Sequence, residues 1–142
     1  MTSESTVTPA TSAPVADVYQ APRQEKPWGH EVIFAGVDGK YVGKILHVTA
    51  GHALSLQYHR EKDETQYVLS GAALVEYGAS AEALVSQHMG PGDTLHLPPG
   101  TVHRITAITD LIFAEASTAQ PGWREDVVRL EDKYGRSGTT AP

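Results

Sequence analysis

The sequence predicts an all-β fold, a small sandwich or barrel. Three observations carry this expectation. The apolar runs are short, turn residues recur between them, and no long stretch keeps a helical period. The chain has 142 residues, enough for one domain with a proper core.

The elements follow in order. "EVIFAG" reads as a strand, and Asp38-Gly39 after it favours a tight hairpin turn. "VGKILHVTAG" runs to Gly51, and "LSLQYH" leads into the polar stretch "REKDE". "TQYVLSG", "AALVEYG", "TLHLPPGTVHRI" and "LIFAEAST" each combine β-favouring residues with a Gly, Pro or Ser boundary. "SAEALVSQ" could pass for a helical turn, but its place between strands predicts a loop and a strand, continuing into "ALVSQHMGPGD". "WREDVVRLEDKYG" reads as a short strand followed by a turn of helix.

The ends differ from the middle. Residues 1–23 are rich in Ser, Thr, Ala and Pro and read as a disordered arm. The ordered domain is expected over 24–135, with a flexible tail over 136–142.

Composition excludes several classes. Without cysteine there is no disulfide, no thiolate metal site and no thiol nucleophile. A formal net charge of −6 with no basic run argues against nucleic acid and membrane surfaces as partners. No apolar run reaches the length of a membrane span. The start lacks the basic and apolar regions of a signal peptide, so a cytoplasmic protein is expected.

Two spaced motifs carry the chemistry. The first reads G-x5-Q-x-H-x4-E-x6-G, from Gly51 through Gln57, His59 and Glu64 to Gly71. Strand side chains alternate, so Gln57 and His59 point the same way, with Ser55 beside them. Glu64 can return beside His59 if a hairpin closes over "REKD". The second motif reads G-x5-P-x-G-x2-H, from Gly92 through Pro98 and Gly100 to His103, and can bring a fourth donor to the first three. Two imidazoles, a carboxylate and an amide oxygen suit one divalent ion. Zinc is the first choice, and manganese, iron, nickel or cobalt are alternatives. Such a set leaves coordination positions open for water or substrate.

These two motifs resemble those of the cupin superfamily, which implies a double-stranded β-helix, a small jelly-roll barrel. The usual first histidine of the motif is Gln57 here. "LSLQYH" is similar to the metal-site sequence of mannose-6-phosphate isomerases, in which Gln, His, Glu and His hold the metal. "KPWGHE", "YVGKILHVTAGHALSLQYH", "ETQYVLSGAALVE" and "EDVVRLEDKYGR" resemble the cupin domain of the type II enzymes over about residues 26–136. Bifunctional members of that family also carry a sugar-nucleotide transferase domain, for which this chain is too short. The resemblance implies a metal-dependent aldose–ketose isomerase of a phosphorylated sugar. Another metal-dependent cupin enzyme, such as an iron dioxygenase, and a non-enzymatic sugar-binding cupin are the alternatives.

Other residues are candidates around that site. Lys44 alternates with Leu46 and Val48 on a strand otherwise fit for burial, and the resemblance puts a lysine there near the substrate. Glu115 is the one carboxylate of a late apolar strand and a candidate general base. Lys44 and Glu115 are therefore the catalytic candidates. Lys62 and Arg104 flank the metal motifs and are expected to meet an anionic phosphate at the barrel mouth. Lys62 stands where the type II family has an arginine. Arg60 reads as solvated charge, His47 and His96 as surface or interface residues, and Trp28 as a cover over the end of the core. The "RLEDKYGR" tail is expected to pack across the barrel or a partner subunit. Exposed sheet edges predict a homodimer.

Overall fold

The computed structural model describes residues 15–138. Residues 1–14 of the arm expected over 1–23, and residues 139–142 of the tail expected over 136–142, lie outside the described residues. The described residues form eleven strands and no helix: β1 (Arg23–Lys26), β2 (Gly29–Val37), β3 (Tyr41–Val48), β4 (Leu56–Tyr58), β5 (Glu64–Ser70), β6 (Ala73–Gly78), β7 (Leu84–Met89), β8 (Thr94–Leu97), β9 (Val102–Ala107), β10 (Leu111–Ser117) and β11 (Val128–Glu131).

They pair, always antiparallel, into two sheets. One has the order β1-β2-β3-β10-β5-β8 and the other β11-β4-β9-β6-β7. The all-β expectation therefore holds. The closing segment departs from it in detail. After β11 the chain makes a turn at Asp132–Gly135 rather than a turn of helix. Asp132 holds that turn by accepting from the Arg136 backbone N–H at 2.7 Å and from its guanidinium at 2.9 and 3.0 Å. Arg136 thus belongs to the fold, although the sequence places it in the tail.

The inward faces of the strands change character at one level. On β10, Leu111 and Phe113 are followed inward by Glu115. On β3, Val48 and Leu46 give way to Lys44. On β5, Val68 gives way to Gln66 and Glu64, and on β9, Ala107 and Ile105 give way to His103. Register aligns these steps. Leu111 pairs with Val48, Phe113 with Leu46 and Val68, and Glu115 with Lys44 and Gln66. Cross-strand partners share a face, so the apolar residues stack into one core and the polar ones into a layer above it. The core includes Trp28, Leu46, Val48, Val68, Val75, Ile105, Leu111 and Phe113. Phe113 is fully buried, and filling such a position contributes about 1.5–3 kcal/mol over leaving it exposed.

Two motif glycines are required by the backbone. Gly71 has φ +89°, and a Cβ there would lie 2.1 Å from the Asp110 carbonyl oxygen. Gly100 has φ +85°, and its N–H donates to the His59 carbonyl at 2.7 Å. That bond ties the second motif to the first.

Candidate metal centre

β4 and β9 are neighbours, and Gln57 is the cross-strand partner of His103. Both side chains face inward with that of His59, which follows β4 directly. Glu64 reaches them by a different route from the expected one. β4 and β5 do not form a hairpin, because they belong to opposite sheets. The segment 59–63 crosses between the sheets. Glu64 then starts β5, paired with Leu97 of β8 and Ser117 of β10. Closure of the barrel, not a turn, brings the carboxylate opposite the imidazoles.

His59 Nε2 lies 3.2 Å from Glu64 Oε2, and His103 Nε2 lies 3.1 Å from the same oxygen. All three residues are buried. His59 Nδ1 lies 2.5 Å from the Asp126 carbonyl, and His103 Nδ1 lies 2.9 Å from that of Thr101. A carbonyl only accepts, so each Nδ1 carries a hydrogen. Each Nε2 is then free to offer its lone pair inward, the orientation a metal-ligating histidine needs. Both Glu64 oxygens are buried with no hydrogen-bond partner, a costly arrangement unless something else satisfies them.

The electrostatics agree with a cation at this point. Burial works against an ionised Glu64, yet His103, His59 and Lys62 outweigh it and hold the carboxyl well below the usual carboxylate range. Burial also works against a charged His103, while contact with Glu64 pushes its imidazole up. Two imidazole nitrogens and a carboxylate oxygen face one another at this point. A divalent ion would relieve all three donors at once.

Gln57 stands beside them. Its Nε2 is 3.5 Å from His59 Nε2, and its Oε1 accepts from the Ser55 hydroxyl at 2.5 Å. A half-turn of the amide presents Oε1 to the cluster and its NH2 to the Ser55 oxygen, an equivalent fit.

The cluster opens into a cavity of about 310 Å³. Lys44 and Glu115 line it, as do Lys26, Glu31, Trp123, Arg124, Asp126, Arg129 and Arg136. Lys44 Nζ lies 3.5 Å from Glu31 Oε1, and Lys26 Nζ lies 4.0 Å from Glu31 Oε2. Burial, and then repulsion by Lys44, Arg129 and Arg136, outweigh attraction to Glu31 and push the Lys26 ammonium down. The lining thus holds six basic side chains (Lys26, Lys44, Lys62, Arg124, Arg129, Arg136) against four acidic ones (Glu31, Glu64, Glu115, Asp126). This excess of positive charge sits inside a chain whose formal net charge is −6.

Two sequence expectations need correction. Lys62 is not at the mouth. It is buried beside the cluster, with Nζ 3.2 Å from Glu115 Oε2 and 3.6 Å from Glu64 Oε1. Burial would lower its pKa, but those two carboxylates outweigh it and keep the ammonium charged. Arg104 does not join the site. Strand alternation turns it away from His103, and it pairs on the outer face with Glu76 at 2.9 Å and Glu131 at 3.2 Å. Of the remaining candidates, Trp28 is in the core at 3 % exposure. His47 stacks on His30 at 4.3 Å, and His96 pairs with Asp63 at 2.7 Å.

The sequence reading missed Lys26, Glu31, Asp126, Arg129 and Arg136. For Arg129 the local pattern does not decide the face. Its alternation partner Val127 precedes β11 (Val128–Glu131), and because Val128 and Leu130 are apolar as well, only the burial of Val127 and Arg129 shows which face turns inward.

Comparison with known proteins agrees with this architecture. The chain is 31 % identical over 114 residues to the mannose-1-phosphate guanylyltransferase ManC of Salmonella typhimurium, a match covering 78 % of this chain and 22 % of the relative. It is 32 % identical over 121 residues to the alginate biosynthesis protein AlgA of Pseudomonas aeruginosa, covering 82 % of this chain and 23 % of the relative. The chain therefore spans less than a quarter of the length of these curated relatives. Among solved structures, the capsular polysaccharide assembling protein CapF from Staphylococcus aureus superposes with a TM-score of 0.68 at 16 % identity, covering 81 % of this chain and 35 % of CapF. KdgF from Halomonas sp. superposes with a TM-score of 0.59 at 21 % identity, covering 69 % of this chain and 87 % of KdgF. At these identities the superpositions speak for the fold. The cupin domain family model matches residues 44–114, the span from the cavity lysine through both histidines to the last core strand, and the chain belongs to the cupin family.

Proposed function

We propose that this domain is a metal-dependent aldose–ketose isomerase acting on a phosphorylated hexose. The observation that carries the reading is the convergence of His59, Glu64 and His103, with Gln57 beside His59, next to a cavity whose lining has an excess of basic side chains. The names of the relatives, a mannose-1-phosphate guanylyltransferase and an alginate biosynthesis protein, support a phosphorylated sugar as the class of ligand.

The four donors would hold one divalent ion, which when bound supplies Lewis acidity to neighbouring sugar oxygens. The chain's own residues do the rest. Glu115 takes a proton from one sugar carbon and returns it to the next. Its two oxygens are held by Lys62 Nζ at 3.2 Å and Gln66 Nε2 at 3.4 Å, which fixes where the proton is received. Lys44, on the cross-strand partner position of Glu115, donates to a sugar hydroxyl. The phosphate lies toward Lys26, Arg129 and Arg136, where arginine can offer paired N–H donors.

The test is metal analysis of protein purified without chelator, joined to a coupled assay with mannose 6-phosphate and other hexose phosphates. Turnover is expected with one or more of them, and Gln57→Ala and His103→Ala abolish it. A full metal site with no turnover on any sugar phosphate would overturn the isomerase reading. So would redox-active iron that consumes oxygen with substrate.

A further inference from the structure

Asp126 lies in the connection between β10 and β11, far in sequence from either motif. Its carboxylate accepts from three consecutive backbone N–H groups of the segment that crosses between the sheets. Oδ1 takes Arg60 N–H at 2.8 Å, and Oδ2 takes Glu61 and Lys62 N–H, each at 2.9 Å. Gln120 Nε2 adds a fourth donor to Oδ2 at 3.0 Å. The carbonyl of the same residue accepts from His59 Nδ1 at 2.5 Å. One residue thus grips both ends of a four-residue run. The run opens with a candidate metal ligand, His59. It closes with Lys62, the cation held between Glu64 and Glu115. A second tie nearby touches neither His59 nor the 60–62 backbone, and meets the Asp126 carboxylate only through Gln120, whose Oε1 accepts from Thr118 Oγ1 at 3.1 Å. Asp63 N–H donates to Thr118 Oγ1 at 3.1 Å, and Thr118 N–H to the Asp63 carbonyl at 3.0 Å.

We infer that Asp126 is a positioning residue for the metal centre: its carboxylate anchors the 60–62 backbone while its carbonyl sets the tautomer and aim of His59. Three adjacent N–H groups pointing at one carboxylate are charge-assisted bonds, stronger than neutral ones. They remove the freedom of the crossing segment to slide past the β10–β11 connection. With the segment fixed, the carbonyl stays in line with the imidazole, and Nε2 is the nitrogen left bare for a ligand. An outer partner of this kind commonly changes metal affinity 10- to 100-fold when removed, roughly the scale expected here. The inference rests on reading His59 as a metal ligand.

The experiment compares the full chain with Asp126→Asn and Asp126→Ala, using zinc alone as the probe in competition with a chromophoric chelator. Zinc affinity is expected to fall about 10- to 100-fold in both variants. In metal-free protein, nitrogen NMR of His59 is expected to move from a single Nδ1–H tautomer toward a mixture. Thr118→Val loosens the neighbouring tie and is expected to lower stability with zinc affinity unchanged. Folded Asp126 variants that keep wild-type affinity and tautomer would overturn the inference, as would an equal loss of affinity in Thr118→Val. If Asp126→Ala fails to fold, Asp126→Asn decides, because it keeps the shape and one acceptor. If the wild-type chain binds no zinc or other divalent ion, the metal reading fails, and the His59 tautomer still decides the role of Asp126.

Discussion

Lys62 and Glu115 stand 53 residues apart in the chain, yet their side chains meet inside the barrel, Nζ to Oε2 at 3.2 Å. Both are buried, and Glu64 lies on the other side of the same ammonium. Removing the cation strands two buried carboxylates. Lys62→Met is expected to lower stability by about 3–5 kcal/mol in urea unfolding, the usual cost of breaking a buried pair from one side. A divalent ion added to the variant should return part of that loss, because it would take over the charge of Glu64.

Under the proposed metal reading, stability should depend on metal. Saturating zinc or manganese, at a thousand times the dissociation constant, should stabilise the wild-type chain by about 4 kcal/mol. Chelator should reverse the shift. Glu64→Ala and His103→Ala each remove a converging donor, and differential scanning fluorimetry should show no response to metal in either.

Glu115→Gln separates chemistry from binding. The amide keeps the size of the side chain, and its oxygen can still accept from Lys62 or Gln66. It cannot take a proton. Under the proposed reaction kcat should fall about 10²- to 10⁴-fold, with metal content and KM close to wild type. Near-normal kcat in this variant would remove Glu115 from the mechanism.

Arg104 is expected to matter little. Its partners Glu76 and Glu131 are on the outer face, and its side chain is 24 % exposed. Arg104→Ala should cost about 1 kcal/mol or less and leave KM for a sugar phosphate unchanged. A large rise in KM would return it to the substrate site.

The sequence already contained the strands, because short alternating runs between glycine and proline have few other ways to bury their apolar faces. The motif glycines belong to the same local class. Gly71 and Gly100 both adopt positive φ, which glycine tolerates without a side-chain clash. The candidate donors were also legible, since Gln57 and His59 share a face by period alone. What period could not show was depth. Arg104 and Lys62 are both cations next to a motif, and nothing local says that one faces solvent and the other the interior.

By itself the sequence determined a chain of short strands, and its two motifs, through their resemblance to the cupin superfamily, implied the barrel and the four side chains that could converge on a metal. The strands follow from alternation and turn chemistry, which act over a few residues. Only the tertiary structure decided that Glu64 arrives from the opposite sheet, that Lys62 bridges Glu64 and Glu115, and that Asp126 grips the crossing segment. Those relationships come from the closing of two sheets over one interior. Burial then forces charged groups distant in the chain to find each other, because a buried charge without a partner is too costly to keep.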